Sequence, residues 1–202
     1  MPGPIRVANR ADASPLAASL SRAFFDDPVM EFLMPDESSR KRRVQEYFEV
    51  ALTIQHLPHG ACYTDTDRAG GALWNPPGNW KLSVRQILQG SPKLISAFGL
   101  NIPRALRVLS TIERRHPHTP HWYLAVLGTD PIHQGRGIAS ALLAPILERC
   151  DRDGTGAYLE SSKKSNIAFY RRHRFEVTGE IALPSGPTIW PMWRDPRPPD
   201  EG

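Results

Sequence analysis

The chain has 202 residues, 40% of them hydrophobic and 23% charged, with a formal net charge of +4. This is the make-up of an ordinary globular protein, enough for one good-sized domain or two very small ones, and it excludes a low-complexity chain. Cys62 and Cys150, the only cysteines, supply neither a disulfide framework nor a zinc pattern, no run reaches the roughly 18 apolar residues of a membrane span, and "MPGPIRVANRADASP" has no apolar signal core, so a cytoplasmic protein with two reduced thiols is expected.

"PIRVAN" reads as a short first strand. Residues 12–28 predict a helix: Leu16, Leu20, Ala23 and Phe24 recur at helical spacing, with Ser14 as cap before Pro15. Residues 38–57 predict a second helix, with Val44, Tyr47, Phe48, Ala51 and Leu52 on one face and the basic run Arg40–Arg43 opposite. "GACYTDTD" and "GGALWNPPG" follow as strands. Residues 81–117 are helical in pattern but cut by Gly90, Pro92, Gly99 and Pro103, which predicts an insert of two or three short helices. "HWYLAVLGTD" has the length and aromatic, β-branched make-up of a strand. After it come a long Ala/Leu-rich helix, the strand "GAYLESS", the short helix "KSNIAFYRRHR", and the strands "FEVTGEIALP" and "GPTIWPMWRD".

Alternation in the second half implies right-handed crossovers and parallel pairing, and strand runs elsewhere imply antiparallel pairing. The expected class is therefore mixed α/β or α+β. No linker divides the chain, so residues 1–195 are expected to form one domain, with 196–202 a frayed tail.

"DPIHQGRGIASALL" places Gly135 and Gly137 just where a strand gives way to a helix. Such a turn exposes unpaired backbone N–H groups at the positive end of the helix dipole and suits a phosphate. A dinucleotide fingerprint needs a third glycine where Ser140 stands, and a Walker loop needs a Gly-Lys-Ser/Thr ending that is absent. The glycines alone leave a phosphate cradle and a tightly packed helix start as equal readings.

The wider context resembles the GNAT superfamily of acetyl-coenzyme A-dependent N-acetyltransferases. "LGTDPIHQGRGIASALL" is similar to its motif A, and "YLESSKKSNIAFYRRHRF" to its later strand, asparagine and F-Y-x-x-x-G-F pattern. "AFFDDP", "GALWNPPG", the motif-A stretch interrupted by Pro145, and "LESS" through "FY" look like the puromycin N-acetyltransferase group. Arg174 replaces the usual glycine before the final phenylalanine, at a position that takes left-handed geometry. The resemblance implies a GNAT fold, with a mostly antiparallel mixed sheet splayed between its two middle strands and helices on both faces.

It also implies a cofactor, acetyl-CoA, and its place. The backbone of Leu127, Gly128 and Thr129 would pair with the pantetheine arm, the loop Gln134, Gly135, Arg136, Gly137, Ile138 and Ala139 would hold the pyrophosphate, and Asn166 would hydrogen-bond the cofactor. Tyr170 matches the family's acid; a phenol of pKa near 10 can protonate a thiolate whose thiol has a pKa near 8.5. A core tyrosine beside Phe169 is the alternative. An amine acceptor arrives protonated, so a base is needed, and Glu160 at its strand end is the best-placed carboxylate, against a plain strand-end charge. Asp26, Asp27 and Glu31 would attract a cationic amine, although Asp27-Pro28 also reads as a turn. Trp74 and Trp122 would wall an aromatic acceptor or else sit in the core.

"RKRR" lacks interleaved aromatic residues and reads as a solvated face, not a nucleic-acid site. His116, His118 and His121 lack metal-ligand spacing, and no metal is expected. The expected function is acetyl transfer to a primary amine of a small, puromycin-like molecule by a monomer or homodimer, without nucleic-acid or membrane partners. A peptide N-terminal acetyltransferase and a non-catalytic acyl-CoA-binding regulator are the alternatives.

Overall fold

A computed structural model describes residues 3–81 and 83–197. Strand β1 (Ile5–Val7) leads into a tight turn where Asn9 and Asp12 cap one another. The Asn9 amide donates to Asp12 Oδ2, and Ala11 N–H donates to Asn9 Oδ1. Helix α1 (Ala13–Ala23) starts from that turn, so Ser14 lies inside the first turn of the helix and reaches Glu49 instead of capping. The turn satisfies the first N–H groups, which leaves Ser14 no capping work.

A helix missed in the sequence follows. Asp27 caps α2 (Pro28–Leu33) by accepting from Val29 and Met30 N–H, with Pro28 preset for the first position. Asp36 caps α3 (Glu37–Val50), which runs on as a wider π-helical turn over Ala51–His56. The basic run is not a uniformly solvated face. Lys41 and Arg42 are exposed, but Arg40 is buried, donating to the carbonyls of Met34 (2.9 Å) and Pro35 (3.1 Å) at the end of α2.

Strands β2 (Cys62–Asp65) and β3 (Gly70–Asn75) pair antiparallel. The insert forms two helices, α4 (Val84–Phe98) and α5 (Ile102–Glu113). Gly90 and Pro92 do not cut α4. Gly90 lies where the helix meets Val50, and a Cβ there would come within 2.9 Å of the valine methyl. Its role is close approach, and the break waits for Gly99 at φ 51°.

Strand β4 (His121–Thr129) precedes α6 (Ile138–Asp153), which runs through Pro145, then β5 (Gly156–Ser161) and α7 (Ile167–Arg172). The stretch expected as one strand divides into β6 (Glu176–Val177) and β7 (Ile181–Ala182), both paired with β8 (Thr188–Arg194). Arg174 does take the left-handed geometry expected of it, at φ 67°. Of the expected tail, residues 198–202 lie outside the described residues, and Arg197 N–H donates to Asp151.

The sheet order is β1-β2-β3-β4-β5-β8-β6, with β7 beside β8. All pairs are antiparallel except β4–β5, which the α6 crossover makes parallel. One face packs Leu142, Leu143 and Ile146 of α6 against Trp74, Leu124, Leu159 and Met192. The other packs Leu16 and Leu20 of α1 and Phe48 of α3 against Leu73, Val126 and Ile189. The class, the mixed sheet and the helices on both faces are as expected.

Candidate functional site

Strands β4 and β5 pair from His121–Gly156 to Leu124–Leu159 and then separate. Ala125 is skipped where Leu73 pairs with Val126 and Trp74 with Leu124, so a bulge bends β4 at the point of separation. Beyond it, Leu127, Gly128 and Thr129 pair with β3 on one side only. A cleft of about 540 Å³ opens there, lined by Leu124–Thr129, Gln134, Ala139, Leu159–Lys163, Asn166 and Tyr170, with Asp26 and Asp27 at its edge.

The loop at one end of the cleft is anchored from below. Asp130 is buried; its N–H donates to Ala69 and its carboxylate takes Arg22 at 2.7 Å. Gln134 Nε2 donates to the Thr129 carbonyl, which fixes the entry to the glycines. Gly135 and Gly137 have φ of 75° and 81°, and a Cβ on either would meet nothing within 4 Å. Their glycine requirement is therefore conformational, and the space above them is open. Gly137 occupies the cap position of α6 with no side-chain cap, and the first α6 N–H to find a helical carbonyl is that of Ala141, on Gly137. The donors before it face the cleft mouth, which suits the pyrophosphate of the expected cofactor. Arg136 is exposed, with only a weak bond to the Ile132 carbonyl.

The other wall comes from β5 and α7. Tyr170 is buried against Phe169 and Phe175 and lines the cleft. Burial, and then the Asp27 charge, push its hydroxyl well above the ordinary phenol range. Its proton is thus held more tightly than that of a solvated phenol. Asn166 is exposed at the head of α7 and makes no side-chain cap, so its amide is free to meet a ligand.

Asp26 and Asp27 are both partnered, and Asp27 takes the turn position read for Asp27-Pro28. Asp26 is bound by Lys163 at 2.8 Å. Asp27 is buried, caps α2 and accepts from the Ser162 hydroxyl, and burial raises its pKa. Both carboxylates tie the start of α2 to the segment after β5 across the cleft. Glu31 lies farther along, within 3.5 Å of Arg40. Trp74 and Trp122 face α6, in the core: Trp74 is fully buried and Trp122 packs beneath Arg149. They do not line the cleft.

Glu160 does line it. Its Oε2 accepts from Tyr123 at 2.7 Å, and its Oε1 lies 3.4 Å from Nδ1 of His116, a buried residue from the stretch between α5 and β4. Trp80 stacks on His116 at 3.8 Å, with Tyr123 and Tyr158 edge-on. Sequence reading treated His116 and His121 only as metal candidates and missed this group. The five-residue interval across "PHTP" was its one trace. Among the described residues no set of three His, Cys, Asp or Glu could hold a metal ion, and no helix is long and apolar enough to cross a membrane.

A family profile described as the acetyltransferase (GNAT) family matches residues 92–175. Over 189 residues the chain is 32% identical to an uncharacterised N-acetyltransferase of Schizosaccharomyces pombe, covering 85% of this chain and 74% of that one. A Corynebacterium glutamicum structure described as histone acetyltransferase HPA2 and related acetyltransferase is 27% identical, with a TM-score of 0.74 over 99% of both chains. A Drosophila melanogaster polyamine N-acetyltransferase shares the fold at 13% identity, with a TM-score of 0.61 over 95% of this chain and 99% of that one. The chain belongs to the GNAT acetyltransferase family.

Proposed function

We propose that this acetyltransferase moves an acetyl group from acetyl-CoA to the primary amine of a small molecule, within the splay between β4 and β5. The observation that carries the reading is the one-sided pairing of Leu127–Thr129 beside an uncapped α6 start. Together they offer a backbone edge for an amide-containing arm and a cluster of N–H groups for a phosphate. Acetyl-CoA supplies the activated acyl group and a thiolate leaving group. Gln134–Ala139 hold its pyrophosphate, Leu127–Thr129 its pantetheine arm, and Asn166 adds a side-chain contact.

Tyr170 donates its proton to the departing sulfur. Its high proton affinity suits this role where the cleft also desolvates the thiolate, because the same burial that raises the phenol raises a thiol beside it. Glu160 takes the proton that the ammonium must lose. Asp26 and Asp27 hold the acceptor end of the cleft in shape.

The acceptor class is puromycin-like, an amine on an aromatic framework, on the strength of the sequence resemblance. A panel of puromycin, agmatine, arylalkylamines and short peptides, assayed by thiol release from acetyl-CoA, tests it. Turnover of a small amine well above hydrolysis is expected. Turnover of peptides alone would move the assignment to a protein N-terminal acetyltransferase, and cofactor binding without turnover would make the chain an acyl-CoA-binding regulator.

A further inference from the structure

Hydrogen-bond donors and acceptors constrain where the protons of the buried group behind Glu160 sit. His121 is buried, and its Nδ1 lies 2.6 Å from the Thr119 carbonyl. A carbonyl only accepts, so His121 Nδ1 carries a proton. Burial, ahead of the opposing Thr119 hydrogen bond, holds the His121 pKa down and keeps the ring neutral, so its Nε2 has a lone pair. That Nε2 lies 3.0 Å from Nε2 of His116, which must therefore be the donor. With a single ring proton, His116 carries it on Nε2 and keeps a lone pair on Nδ1. That lone pair faces Glu160 Oε1 at 3.4 Å, and neither atom has another hydrogen-bond partner.

We propose that His116 is the proton store behind the catalytic carboxylate. Glu160 takes the proton from the bound ammonium and passes it to Nδ1 of His116. This inference rests on the acetyl-transfer reading above. The ammonium N–H bond breaks as a Glu160 O–H bond forms, and that proton then bonds to Nδ1, leaving an imidazolium beside a carboxylate. The proton returns through Glu160, which lines the cleft, before the next turnover.

The geometry favours the transfer. A proton arriving on Glu160 Oε1 meets the Nδ1 lone pair as its neighbouring acceptor, and the transfer leaves a charge-assisted pair. The titratable groups packed on His116 are His121 and Tyr123 of β4 and Tyr158 and Glu160 of β5. Both tyrosines are pushed further up, by burial and then the Glu160 charge, so neither competes as an acid. Trp80 covers the open face of the ring. His116 touches no substrate and acts through Glu160, so it is a positioning residue. The stretch after α5 thus reaches the chemistry through Glu160.

Two measurements test this. Nitrogen-15 NMR of the histidine rings in the free protein should show neutral His116 protonated on Nε2; protonation on Nδ1 would overturn the proposal whatever the activity. The pH dependence of kcat/KM for His116→Gln with puromycin, or with agmatine should puromycin not react, gives the second. About a tenfold or greater loss is expected near neutral pH, shrinking to within about threefold above the amine pKa, where the acceptor needs no base. A loss of the same size at every pH would mean a packing role only and would overturn the proposal. Absence of turnover by wild-type protein with either amine would count against the function assigned above, while the NMR result would still decide the proton arrangement.

Discussion

The two ends of one cleft are built in opposite ways. At the α6 end the working groups are backbone N–H groups on an exposed loop, and the side chains around them are glycines with open space above. At the Glu160 end they are side chains packed from three separate segments, closed by Trp80 and linked by hydrogen bonds. The first end tolerates a ligand arriving from solvent. The second buries His116 and His121 behind Glu160 and joins the group by hydrogen bonds. A cofactor carrying phosphates needs the former, and proton transfer from an ammonium needs the latter.

The largest effect that would break this division comes from Tyr170, on the wall between the ends. Tyr170→Phe keeps the packing and removes only the hydroxyl. A fall in kcat of about 100-fold to 10,000-fold is expected, with acetyl-CoA affinity unchanged. A steady-state assay beside a calorimetric titration checks it, and an unchanged kcat would remove Tyr170 from the chemistry.

A smaller effect sharpens the loop end. Gly137→Ala adds a methyl that meets no neighbour, so its whole effect is the strain of left-handed geometry, about 1 kcal/mol. That corresponds to roughly a fivefold loss of acetyl-CoA affinity where the free variant loop relaxes and binding restores the left-handed geometry. Amine KM should not move. A change confined to amine KM would reverse the assignment of the two ends.

The smallest effect lies outside the cleft and sets a baseline for purely structural charge. Arg6 holds Asp12 well below the usual carboxylate range, chiefly through its hydrogen bonds, with Arg68 adding a further one. A depressed carboxylate contributes stability above its unfolded pKa of about 3.9 and loses it as pH falls through the folded value. Asp12→Asn should therefore lower the melting temperature at pH 7 by about 2–4 °C per kcal/mol removed. The gap to wild type should narrow below about pH 4, and kcat should hold. Melting curves across pH 3–7 check this.

The same contrast explains what the sequence disclosed. The loop end was legible because backbone geometry is written locally: Gly135 and Gly137 need positive φ wherever they stand, and Gln134 and the helix pattern lie beside them. Asn166 and Tyr170 were reachable through a motif of fixed spacing. The Glu160 end was not, because His116, Tyr123 and Trp80 meet only after β4, β5 and the insert are assembled, and no local rule joins them. The partners of Asp26 and Asp27 were hidden for a similar reason, since Lys163 and Ser162 lie more than 130 residues away in sequence. For Trp74 and Trp122 parity decided between pocket and core: β3 and β4 turn these rings to the α6 face, and the bulge that sets the phase of β4 leaves no mark in the sequence.

The most direct test of the central claim is backbone amide exchange with and without acetyl-CoA. Binding in the splay predicts new protection at the amides of Leu127–Thr129 and of the α6 start from Gly135 to Ser140, with little change in α4 and α5. Protection confined to other segments, with these amides exchanging as before, would contradict it.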